Sequence, residues 1–167
     1  MERLGDLQIS EDYGFQRREW VAQRIGWGLV LVLIVITAAG LFGHGPISWT
    51  TAETADGTLK ASFERFGRRG GSQSLLLRAD AAAATKGAWG LEIADDYVSA
   101  VEFRSISPQP DAATRVPGAI LYTFTQTNPD ADLKVTFRLT PSGLWGVNGE
   151  IRLAGHDRLT IEQFFFP

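Results

Sequence analysis

Residues 25–43 read IGWGLVLVLIVITAAGLFG, and the reading of this stretch decides how the rest of the chain is arranged. No formal charge occurs from Ile25 through Ala52. Nineteen residues at about 1.5 Å each make a helical rod roughly 28 Å long, close to the hydrocarbon thickness of a bilayer. From Leu29 to Ile36 every side chain is aliphatic. A helix buried against a soluble core rarely stays apolar on all faces for so long. The stretch therefore reads as a transmembrane helix.

Outward toward the N-terminus, residues 1–24 read as a cytoplasmic arm with a short helix. Ser10 followed by Glu11 and Asp12 is a helix-start pattern, a hydroxyl able to cap free N–H groups and then acids at the positive dipole end. Arg17, Arg18 and Arg24 precede the span, and the next basic residue after it is Lys60. This asymmetry predicts a cytoplasmic N-terminus and an outer, periplasmic C-terminal domain in a bacterial inner membrane. Trp20 and Trp27 suit the inner interface, and Phe42 and Trp49 the outer one. The apolar run is long for a signal core and no clean A-x-A site follows, so an uncleaved signal anchor is expected. Ala39 and Gly43 form a small-xxx-small pair that would let another helix approach.

Outward toward the C-terminus, Gly45-Pro46 ends the helix, and residues 44–57 read as a polar linker. The 124 residues after Gly43 suffice for one domain with its own core. Their pattern alternates. TLKASFERF at 58–66 and DLKVTFRLT at 132–140 put apolar residues on one face and polar residues on the other, and 149–153 and 158–165 repeat this. AILYTFTQT at 119–127 is rich in aromatic and β-branched residues. With Gly, Pro and Asn turns between the runs, about eight strands are expected, in an antiparallel sandwich or barrel over 58–167. The strands at 119–127, 132–140, 144–153 and 158–165 look like a meander of hairpins, and 80–86 like two turns of helix. The fold class is mainly β behind one membrane helix.

Composition removes several functions. The net charge is −3, with 16 Lys and Arg scattered along the chain, so no basic surface invites nucleic acid. No cysteine is present, which excludes disulfides, Cys-ligated zinc, iron–sulfur clusters and thiol catalysis. No G-x-S-x-G, P-loop, G-x-G-x-x-G or H-E-x-x-H occurs. An enzyme is not expected, nor a metal or cofactor. His44, at the outer helix end, is a pigment-ligand candidate, but one imidazole without partners does not make a ligand set. His156 reads as a solvated turn residue, and Asp95-Asp96 as a solvated turn. Arg65, Arg68 and Arg69 form a basic loop with an anionic headgroup or a partner's carboxylates as conceivable ligands, although a bare hairpin tip needs none. Phe164, Phe165 and Phe166 cannot all face one side of a strand. At least one must pack outside the core, which together with Trp49, Trp89 and Trp145 hints at an interface.

Glu19-Trp20-x-x-Gln23-Arg24-Ile25-Gly26-Trp27, Gly40-Leu41-Phe42-Gly43-x-Gly45-Pro46-Ile47-Ser48 and Phe63-Glu64-Arg65-Phe66 together resemble uncharacterised bacterial single-pass membrane proteins with a small periplasmic β domain. The resemblance covers about a third of the chain. It implies the topology and no catalytic residue. The function expected is that of a non-catalytic accessory or scaffold subunit of a larger inner-membrane complex, energy-transducing complexes such as a reaction centre with its antenna or a respiratory complex being examples. Its partners would be other membrane subunits and the lipid bilayer. The alternatives are an anchored periplasmic ligand-binding or chaperone module, which needs an apolar pocket inside the sandwich, and an anchored hydrolase.

Overall fold

The computed structural model describes residues 13–38, 48–128 and 130–167. Two compact units are present, one up to Ala38 and one after it. The described residues of the first form one helix, α1 (Tyr13–Ala38). The helix expected through Arg17, Arg18 and Trp20 runs on into the apolar stretch without a break. Over Gly14–Ala38 this helix is long and apolar enough to span a membrane. Its large apolar side chains, Leu29 and Leu31 among them, are exposed on every side, so the helix alone buries none of its apolar surface. The expected helix start at Ser10 and residues 39–47, which include Ala39, Gly43 and His44, lie outside the described residues.

The second unit is a two-sheet sandwich. One sheet has the order β1-β2-β4-β9-β6, from β1 (Trp49–Glu53), β2 (Leu59–Glu64), β4 (Gln73–Ala79), β9 (Leu133–Pro141) and β6 (Val101–Ser107). The other runs β3-β11-β10-β5-β8-β7, from β3 (Phe66–Arg68), β11 (Arg158–Phe166), β10 (Trp145–Leu153), β5 (Ala88–Ala94), β8 (Ala119–Thr125) and β7 (Ala112–Val116). All pairs are antiparallel except β3 with β11, which run parallel. The alternation read from sequence is the burial pattern seen. In β9, Leu133, Val135, Phe137 and Leu139 are buried while Lys134 and Arg138 are exposed. In β10, Val147, Ile151 and Leu153 face the same interior. The interior is filled by these side chains with Leu59, Leu75, Ile93, Phe124 and Trp89.

Four local expectations are corrected. The predicted linker at 44–57 contains β1, which pairs with β2 from Trp49↔Glu64 to Glu53↔Lys60. The meander is replaced by strands that change sheets: β8 pairs with β5 and β7, and β9 with β4 and β6, so among the last four strands only β10 and β11 form a hairpin. The helix expected at 80–86 is a single 3-10 turn, Ala81–Ala83, capped by Asp80 Oδ1 accepting from Ala82 N–H at 2.7 Å. Asp95-Asp96 opens a short helix, α2 (Asp95–Ala100), rather than a turn.

That helix leads from β5 in one sheet to β6 in the other and brings the fully buried Tyr97 into the core. Tyr97 fits there because residue 149 of β10 has no side chain. A Cβ at Gly149 would stand 2.6 Å from Tyr97 Cδ2 and 2.9 Å from Ile161 Cγ1. Gly149→Ala therefore overpacks the core, and thermal unfolding should show a loss of about 1–3 kcal/mol.

Candidate functional site

The chain comes into the sandwich at Ser48, which is buried and fixed to β3 and its approach. Ser48 O accepts from Arg65 N–H at 2.6 Å, and Ser48 Oγ donates to Phe66 O at 3.2 Å. The short β3 then lies along β11 in the register Phe66↔Phe164, Gly67↔Phe165 and Arg68↔Phe166. This fixes the three consecutive phenylalanines. Phe165 is buried, while Phe164 and Phe166 are half-buried on the outer face of the sheet. Their rings meet at 5.1 Å between centroids, and Phe66 stacks on Phe166 at 6.4 Å.

Trp145 completes this aromatic corner through its backbone. Strand alternation would place it on the interior face with Val147 and Gly149. Its φ of +67° turns it out instead, where its ring lies 5.8 Å from that of Phe164 and the residue is 57% exposed. A left-handed backbone at a non-glycine residue costs roughly 1–2 kcal/mol, so this exposed tryptophan is held outward against both burial and backbone preference. Beside it, Gly146 and Asn148 leave a depression of about 260 Å³, also lined by Arg65, Glu162 and Phe164. Arg65, Arg68 and Arg69 are all exposed around the corner, and Trp49 is 43% exposed beside Ser48. The remainder of this outer face differs in chemistry: it carries ion pairs, Arg152–Glu92 at 2.5 Å and Arg158–Glu150 at 3.0 Å.

Behind the corner lies a buried polar network centred on Gln163. Its Oε1 accepts from the Tyr97 hydroxyl at 2.6 Å, and its Nε2 donates to Glu64 O at 2.8 Å and to Gln73 Oε1 at 3.2 Å. Gln73 Nε2 in turn donates to Phe66 O at 3.1 Å. These bonds join α2, both sheets and β3. A Cβ at residue 67 would collide with the Gln73 amide and push it out of these bonds. Burial drives the Tyr97 phenol upward, so it stays protonated as the donor.

The other predicted residues fall as follows. Trp20 and Trp27 are exposed on α1, and the Arg24 guanidinium lies 3.5 Å from the Trp20 ring centroid. Trp89 is no interface residue: it is 1% exposed, and its Nε1 donates to Asp80 O at 3.0 Å. His156 is half-buried in the β10–β11 turn, with Nδ1 3.2 Å from Asp56 Oδ2 of the β1–β2 turn, so it ties one hairpin of each sheet together. Among the described residues no group of three His, Asp, Glu or Cys side chains converges as a metal site would require. Sequence reasoning missed the Gln163 network and the outward turn of Trp145. The polar Gln163 on the apolar face of an otherwise alternating strand was the one signal for the former. The chain matches no model of a known protein family, and comparison with curated proteins finds no similar one.

Gln163→Leu strands the Tyr97 hydroxyl and the Gln73 and Glu64 acceptors, and chemical denaturation should show a loss of about 1–3 kcal/mol. Hydrogen bonds from Thr54 and Thr58 hold the Asp56 carboxyl below its ordinary range, and bonds from Arg78 and the Ala81 N–H do so for Asp132. A carboxyl lowered by folding stabilises fully above its unfolded value of about 4 and loses that contribution as pH falls through the lower folded value. The Tm advantage of the wild type over Asp56→Asn and Asp132→Asn should be constant near neutrality and shrink on acidification below about pH 4.

Proposed function

We propose that this protein is a non-catalytic, single-pass accessory subunit of a larger bacterial inner-membrane complex, with its N-terminus cytoplasmic and its β sandwich in the periplasm. The orientation rests on the arginines before the span and their absence after it until Lys60. The observation that carries the role is the open edge at β7. Its residues Ala112, Ala113, Thr114 and Arg115 are exposed on both faces, and among the described residues the strand pairs only with β8. Open edges invite pairing, and stable domains guard them. The other three edges are guarded: β3 is three residues long, β6 carries a register break between Phe103 and Ser105 and the pair Arg104–Glu102, and β1 carries the pair Lys60–Glu53. The edge β7 has one charge, Arg115, drawn toward Asp95 at 3.4 Å. A strand from a neighbouring subunit is its natural complement.

The pocket-based alternative has less support, since the space between the sheets is occupied by side chains exposed by 9% or less.

The test is extraction of the tagged full chain from native membranes in mild detergent, followed by native electrophoresis and mass spectrometry. The expected result is a particle larger than the 18.3 kDa chain that contains other membrane subunits. Val116 and Ala119 flank a two-residue loop, so their pair bonds across the hairpin and the backbone of Ala113 points to the open side. Ala113→Pro should leave the unfolding free energy within about 1 kcal/mol of wild type and dissociate the particle. A monomer from native membranes, or a particle indifferent to Ala113→Pro, counts against the reading.

A further inference from the structure

We infer that the aromatic corner formed by Phe66, Trp145, Phe164 and Phe166, with Arg65, Arg68 and Arg69 around it, is a second membrane contact that seats the β sandwich on an anionic lipid surface. This goes beyond the accessory role and does not depend on it, because it needs only a membrane-spanning α1.

Three observations converge on this corner. The first is composition. Tryptophan and phenylalanine lie beside arginine, the pairing that suits the headgroup layer, where rings enter the acyl boundary and guanidinium groups stay with phosphates. The corner carries three exposed arginines against one exposed carboxylate, Glu162. The second is conformation: Trp145 is turned out of the sandwich at φ +67°, a backbone cost that water would not repay for an apolar ring. The third is connectivity. The chain passes into the sandwich at Ser48, bonded directly to Arg65 and Phe66, and only nine residues separate Ser48 from Ala38 at the end of α1. The chain therefore joins the sandwich beside this corner.

The occupant is therefore the headgroup layer of the membrane that holds the chain's own helix. Its phosphates would meet the guanidinium groups, and the exposed Trp145 ring would leave water. The depression beside Gly146 and Asn148, with Arg65 and Glu162 at its walls, gives room for a glycerol-sized headgroup.

The absence of cysteine makes the test direct. A single Gly146→Cys places a nitroxide label in the corner, where a Cβ meets open space. Lys134→Cys is the control, exposed at the opposite end of β9 from Pro141, whose carbonyl accepts from Gly70. The full chain is reconstituted into phosphatidylcholine vesicles with and without phosphatidylglycerol. Collision rates of each label with a water-soluble nickel complex and with oxygen are then read by electron paramagnetic resonance. In the anionic vesicles the label at 146 should lose most of its nickel collisions and gain oxygen collisions, while the label at 134 stays unchanged. Replacing Arg65, Arg68 and Arg69 by Gln should restore nickel access, the docking equilibrium constant falling about fivefold for each arginine removed. Equal nickel access at 146 and 134 in anionic vesicles overturns the inference. So does shielding that survives in neutral vesicles without the arginines. Shielding confined to native membranes overturns it too and assigns the corner to a protein partner.

Discussion

Gln163 is where the two sheets, the short helix and the edge strand β3 are held to one another. Its position is forced. Leu159, Ile161 and Phe165 must face the interior of β11, and a period of two carries Gln163 inward with them. A buried amide without partners would undo the gain, so the surroundings supply them: the Tyr97 hydroxyl, the Glu64 carbonyl and the Gln73 amide. Each partner constrains something else. Tyr97 requires the bare Gly149, and Gln73 requires the bare Gly67. One amide thereby fixes which residues of β3 and β10 can carry a side chain.

The same register fixes the outer surface. With Gln163 and Phe165 inward, Phe164 and Phe166 must point outward, and Phe66 comes beside them through the parallel pairing. The aromatic corner is thus the other side of the polar network, and neither could shift without the other. Beyond it the outer face changes to paired charges, Arg152 with Glu92 and Arg158 with Glu150. One face of a single sheet therefore presents two surfaces of different chemistry.

Much of this was legible in local sequence because local sequence decides it. The alternation in TLKASFERF and DLKVTFRLT names the buried residues of β2 and β9, and the uniform apolarity before Ala38 names the helix. What escaped is what nearby residues do not decide. The strand at 49–53, WTTAE, has no apolar face and exists because β2 gives its backbone partners. The strand at 66–68 is too short to show a period, and 112–116 is exposed on both sides, so neither has the burial that generates a pattern. The choice of sheet for β8 and β9 depends on partners far along the chain, and the hairpins expected from their spacing were mistaken for that reason. The outward turn of Trp145 rests on one backbone angle that no periodicity reports.

The parallel pairing of β3 with β11 has a temporal consequence. Phe66 finds its neighbour in Phe164, 98 residues later in the chain, and Gln73 finds its amide partner in Gln163, 90 residues later. A ribosome delivers these halves in order. Until β11 emerges, β3 has no strand beside it and the interior polar groups of the first sheet lack their closing bond. The sandwich is therefore closed only once β11, the last strand of the chain's β unit, is in place.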